Sequence, residues 1–96
     1  MMEYFVVEPC TTANAFEIKL KNKKLDLEKC EKALVDLGEI VASMPVVLVV
    51  RIGEYSISVY ASGRLMVKSP KKLRSKAVKE LANKIMSLLE KHGAIV

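Results

Sequence analysis

Between Pro45 and Lys68 the chain spells PVVLVVRI, GE, YSISVYA, SG and RLMVK, three strand-like segments separated by glycine-containing dipeptides. Connections this short leave no room for a crossover, so the three segments can only form an antiparallel meander. In YSISVYAS the alternation sets Ile57 and Val59 on one side and Ser56, Ser58 and Tyr60 on the other. RLMVK does the same, with Leu65 and Val67 against Met66 and Lys68. PVVLVVRI is too uniformly apolar for its period to say which side faces a core.

The segments around the meander supply the rest of a two-layer domain. NAFEIKLK, from Asn14 to Lys21, alternates Phe16, Ile18 and Leu20 with Glu17, Lys19 and Lys21, the pattern of a half-buried strand. LDLEKCEKALVDLG then places Leu27, Cys30, Leu34 and Leu37 at helical spacing, behind Asp26 as N-cap and ahead of Gly38 as C-terminal cap. A short linking strand is expected from Glu39 to Ser43. After the meander, Ser69–Pro70 predicts a helix start, and Leu73, Ala77, Leu81, Ile85 and Leu88 continue a three-or-four spacing towards Gly93. The expected order is strand, helix, four strands, helix: an α+β fold with a five-stranded antiparallel curved sheet and two helices on one face. If the long helix covers the side of Val46, Leu48, Val50, Ile57, Val59, Leu65 and Val67, then Val47, Val49 and Met66 stay on an open face.

Ninety-six residues fit a single domain, 1–96, and a 51% apolar share is enough for a core without metal or disulfide support. No apolar run approaches the roughly 18 residues of a membrane span. The start, MMEYFVVEPC, lacks a basic region, and Glu8 and Pro9 interrupt its apolar patch, so a signal peptide is not expected and a cytoplasmic location is. Cys10 and Cys30 are too few and too far apart for a disulfide framework or a C-x-x-C motif. The net charge of +5 is unevenly placed: residues 1–63 hold 7 basic and 9 acidic side chains, and residues 64–96 hold 9 basic and 2 acidic ones. The C-terminal third is therefore the part that would attract a polyanion or an acidic partner.

The order of elements, with the words KKLDLEK, VVLVVRI and VYASGRLMV, resembles one repeat of the TATA-box-binding protein family over roughly residues 12–90. The resemblance implies a half saddle, with helices on the convex side and an open concave sheet face that lies in the minor groove of DNA. It places a wedge aromatic at Tyr60 and its pair near Pro45, groove-facing positions at Val47, Val49, Ser58, Met66 and Lys68, and a base-reading position near Ala13 or Asn14. There are departures. Proline cannot act as a wedge, the tyrosine hydroxyl resists insertion, and Glu17 faces phosphates unfavourably. The family's second repeat is missing, and a homodimer would restore it.

Catalysis finds little support. His92 is the one histidine, near a helix end that explains it, and neither a zinc-ligand cluster nor a Gly-rich phosphate loop is present. The expectation is a non-enzymatic protein without cofactor or metal. It would bind nucleic acid, duplex DNA before RNA, through Val47, Val49, Arg51, Ser58, Tyr60, Met66 and Lys68. Lys71, Lys72, Arg74, Lys79 and Lys84 of the last helix form an electrostatic surface or simply a solvated helix face, and Lys19, Lys21, Lys23 and Lys24 extend the basic rim. The alternative is a protein-interaction module whose open face packs on itself or on a partner.

Overall fold

The computed structural model describes residues 5–9, 15–21, 23–70 and 74–96. They form β1 (Phe5–Pro9), β2 (Ala15–Leu20), α1 (Leu27–Leu34), β3 (Glu39–Ser43), β4 (Val47–Ile52), β5 (Tyr55–Tyr60), β6 (Arg64–Lys68) and α2 (Ser75–Lys91). The fold is α+β, and every strand pairing is antiparallel. Strands β2 to β6 are the five expected ones, and β1 adds a strand outside β2, giving the order β1-β2-β6-β5-β4-β3. This extra strand is FVVEP, short and closed by proline, so it offers too few alternations to signal itself.

Period-two patterning decides which face is buried. Phe16, Ile18 and Leu20 of β2, Leu48 and Val50 of β4, Ile57 and Val59 of β5, and Leu65 and Val67 of β6 all point into one core. They meet Cys30, Ala33 and Leu34 of α1 and Val78, Ala82, Ile85, Met86 and Leu89 of α2, so both helices cover the same side of the sheet. Among the described residues no polar or charged side chain is buried, so the interior between the layers is packed by apolar contact. The seam of α2 lies slightly off the expected stripe: Leu81 and Leu88 are only partly buried and flank the fully buried set. Leu73 lies outside the described residues.

Local chemistry sets the helix ends, with two corrections. Asp26 does cap α1, its Oδ1 accepting from the N–H groups of Glu28 at 3.1 Å and Lys29 at 3.3 Å. The helix nevertheless ends at Leu34 with Val35 as its cap, so Gly38 is not the terminator. Gly38 is small for another reason: a Cβ there would run into the carbonyl of Arg51 on β4. The second correction concerns α2, which starts at Ser75 with Arg74 at the cap position, not at Ser69–Pro70. Strand β6 lies inside the sheet while α2 packs against α1 and β1, so β6 and α2 belong to different layers.

A third correction concerns Val46, expected on the covered side. It precedes β4 at the end of the sheet, where a tight turn is closed by the Met44 N–H to the Val47 carbonyl at 2.9 Å, and its side chain is 68% exposed although its carbonyl still accepts from the Ala61 N–H at 3.1 Å. The hairpin between β5 and β6 turns through Gly63 at φ 99°, a conformation that suits glycine. A Cβ at Gly63 would also strike the Lys23 carbonyl of the loop between β2 and α1.

Candidate functional site

The strand registers turn the uncovered face into a grid of three rows. The middle row runs Glu8, Glu17, Met66, Ser58, Val49, Ala42 across β1, β2, β6, β5, β4 and β3. One flanking row holds Lys19, Arg64, Tyr60 and Val47, and the other holds Ala15, Lys68, Ser56, Arg51 and Glu39. All seven expected contact residues, Val47, Val49, Arg51, Ser58, Tyr60, Met66 and Lys68, therefore lie on this one face. Arg51 and Lys68 are exposed, and the other five are half-buried by their neighbours in the grid.

Tyr60 is where the geometry says most. Its register partners are Val47 on β4 and Arg64 on β6, and the Arg64 guanidinium carbon stands 4.9 Å from its ring centroid. That is cation–π range, so the ring already has a charged lid. Arg64 is held in turn by Glu17, its Nε 3.1 Å from Oε2. Lys19 continues the chain, 3.8 Å from Glu17 and 3.7 Å from Glu8. Glu17 is the least hydrated member, its side chain only 17% exposed, while Arg64, Lys19 and Glu8 are each about half exposed. Glu17 thus faces the open side as expected, but it arrives there already neutralised by cations of the same chain.

Cations mark both flanking rows, Lys19 and Arg64 in one, Lys68 and Arg51 in the other. Arg64 and Lys68 bracket Met66 on β6, and their Cα atoms are separated by about 13 Å at the usual rise of an extended strand. Glu8 and Arg64 are not among the residues expected at this site, and Lys19 is expected only as part of the basic rim. Their alternation with apolar residues was the available signal, but it identifies a face and not an ion pair.

The remaining expected positions fall elsewhere. Pro45, the proposed partner of a Tyr60 wedge, sits in the connection between β3 and β4. There it lines a cavity of about 340 Å³ with Leu27, Glu28, Glu31, Ser43 and Met44, so it does not pair with Tyr60 across the grid. Within this cavity the Ser43 hydroxyl donates to Glu31 Oε1 at 2.8 Å. Arg74, Lys79 and Lys84 are exposed on the helical layer, away from the open sheet face, so the two contact sets occupy opposite sides of the molecule. Lys21, Lys23 and Lys24 are exposed around the loop after β2. Lys71, Lys72, Ala13, Asn14 and Cys10 lie outside the described residues.

Cys30 is a free thiol, fully buried, whose pKa is raised from 9.0 to about 12, mainly by desolvation and then by the charge of Asp26. His92 ends α2, its Nδ1 3.0 Å from the Leu88 carbonyl oxygen, to which the ring donates. Among the described residues no three of His, Cys, Asp and Glu stand together as a metal site, and no helix is long and apolar enough to cross a membrane. Comparison with protein-family models, with curated proteins and with solved structures gives no match to this chain.

Proposed function

We propose that the chain is a non-enzymatic nucleic-acid-binding domain that lays its open sheet face along a duplex, DNA before RNA, with two copies forming the full platform. The single observation that supports it most is the grid itself: an uncovered middle row without cations, flanked on both sides by rows that carry them. A spacing of about 13 Å between the flanking rows is on the scale that separates two phosphate ribbons across an open groove. The half-buried Met66, Val49, Val47 and Tyr60 would meet sugars and base edges, while Arg51, Lys68 and Arg64 would meet phosphates. The resemblance to the TATA-box-binding protein family points to the same face, by residues that match its words.

A second function is favoured by a specific observation. Glu8 and Glu17 put two carboxylates at one end of the middle row, and Val41, Met44 and Val46 are large apolar side chains left about half exposed or more near the β3 edge. Those features suit a protein partner or a second copy, which would bind by apolar contact with little salt dependence.

Fluorescence anisotropy decides between the two. Labelled duplex DNA, single-stranded DNA and RNA are titrated at low and at raised salt. Binding that weakens steeply with salt, and a Tyr60→Ala variant that binds about five- to a hundredfold more weakly, is the expected result. Absence of binding to all three probes at low salt would exclude the nucleic-acid function. Full binding by Tyr60→Ala would exclude the sheet face as its site.

A further inference from the structure

The ion pair between Glu17 and Arg64 has a role in the proposed binding function that the contact set alone does not supply, and the inference rests on that function. We infer that Glu17 is an internal competitor for the ligand's phosphate: it occupies the Arg64 guanidinium, 3.1 Å away, and holds it over the Tyr60 ring until a nucleotide unit takes both partners.

Glu17 Oε2 stands where a ligand oxyanion would stand, and a carboxylate and a phosphate compete for the same guanidinium donors. A lone anion that captured Arg64 would exchange one oxyanion for another and strip the cation from Tyr60, leaving the ring bare. A nucleic-acid strand brings a replacement for each loss, phosphate for the carboxylate and base or sugar for the cation on the ring. Glu17 is not stranded by the exchange, because Lys19 lies 3.8 Å away and remains. The low exposure of Glu17, at 17%, strengthens its hold, since water screens the pair poorly on that side. Glu17 is therefore a positioning residue that sets the threshold for entry, and Arg64 and Tyr60 are the contact residues.

The test substitutes Glu17→Gln, which keeps size and hydrogen bonding and removes the charge. The variant should bind duplex DNA about two- to fivefold more tightly at low salt, the worth of one surface ion pair. Its plot of log K against log salt should be steeper by up to about 0.9, because the Glu17 carboxylate would no longer offset one of the positive charges that displace condensed counterions from the phosphates. A role confined to folding would leave that slope unchanged, and the thermal midpoint of the variant checks that it is folded. A second measurement needs no nucleic acid: the side-chain NMR signals of Arg64, shifted by the Tyr60 ring, should respond to inorganic phosphate at several-fold lower concentration in Glu17→Gln. Wild-type binding with unchanged affinity and slope in the variant, or an unchanged phosphate response, overturns the inference and leaves the binding function standing. If neither protein binds nucleic acid while Arg64 answers phosphate as described, the competitor role holds and the nucleic-acid function fails.

Discussion

At the scale of single residues, Gly63 and Gly53 separate two reasons for glycine. Both have positive φ, 99° and 60°, but Gly53 has open space around a Cβ while Gly63 faces the Lys23 carbonyl. Gly53→Ala should cost about 1–2 kcal/mol, the strain of the left-handed conformation alone. Gly63→Ala should cost more, because the loop must also move, and urea unfolding of the two variants checks the order. Cys30 gives a pH prediction whose sign follows from its raised pKa. The folded state keeps the thiol proton to about pH 12 while the unfolded state loses it near 9.0, so this group's contribution falls as pH rises through that window and is constant below it. Unfolding titrations across that window should show a shallower loss of stability in Cys30→Ala. The side taken by Tyr60 was legible from period-two alternation. The lid over its ring was not, since Glu17 and Arg64 meet only through the pairing of β2 with β6, which alternation does not specify.

At the scale of elements, the helices differ in how they begin. Helix α1 has a side-chain cap and an acidic first turn, whereas α2 starts at Arg74 with neither. Asp26→Ala should therefore destabilise the protein by about 1 kcal/mol, and Arg74→Asp should stabilise it by a similar amount by capping α2 and complementing its dipole. Thermal unfolding of the two variants should move the midpoint in opposite directions. The same contrast explains why one helix start was legible and the other was not. Asp26 is both the sequence signal and the physical cap, while Ser69–Pro70 carries the signal at a place where the chain is still leaving the sheet. The meander was legible because turn length left it no alternative, and β1 was missed because a five-residue strand next to a proline reveals itself only by what it pairs with.

At the scale of the whole molecule, the positive charge of the last third divides between two surfaces that face opposite ways. Lys68 and Arg64 belong to the sheet face, Arg74, Lys79 and Lys84 to the helical layer. Replacing Arg74, Lys79 and Lys84 together by Ala should lower duplex affinity modestly and by the same factor at every sequence, as long-range attraction weakens. A loss as large as that expected for Tyr60→Ala would instead place the ligand on the helices. Light scattering should return twice 10.7 kDa if two copies form the platform, and a mass of one chain would restrict binding to a single face. Charge bias was readable in the sequence, but its division between two faces was not, because it depends on where α2 begins and which side it buries.

The loop that presses on Gly63 ties three distant parts of the chain together. Leu20 donates to the Gly63 carbonyl at 2.9 Å, Leu25 to Ala61 at 3.0 Å, and Lys24 and Val96 exchange two backbone bonds at 2.9 Å each. Asp26 adds a bond to Ala94 at 2.8 Å, so the hairpin carrying Tyr60 and Arg64, the loop before α1 and the segment after α2 are laced into one unit. These amides should exchange with deuterium at a common rate, opening and closing together and apart from the outer strand β3. Deleting Ala94–Val96 would then accelerate exchange at Gly63, an effect transmitted through the lacing to the neighbourhood of Tyr60.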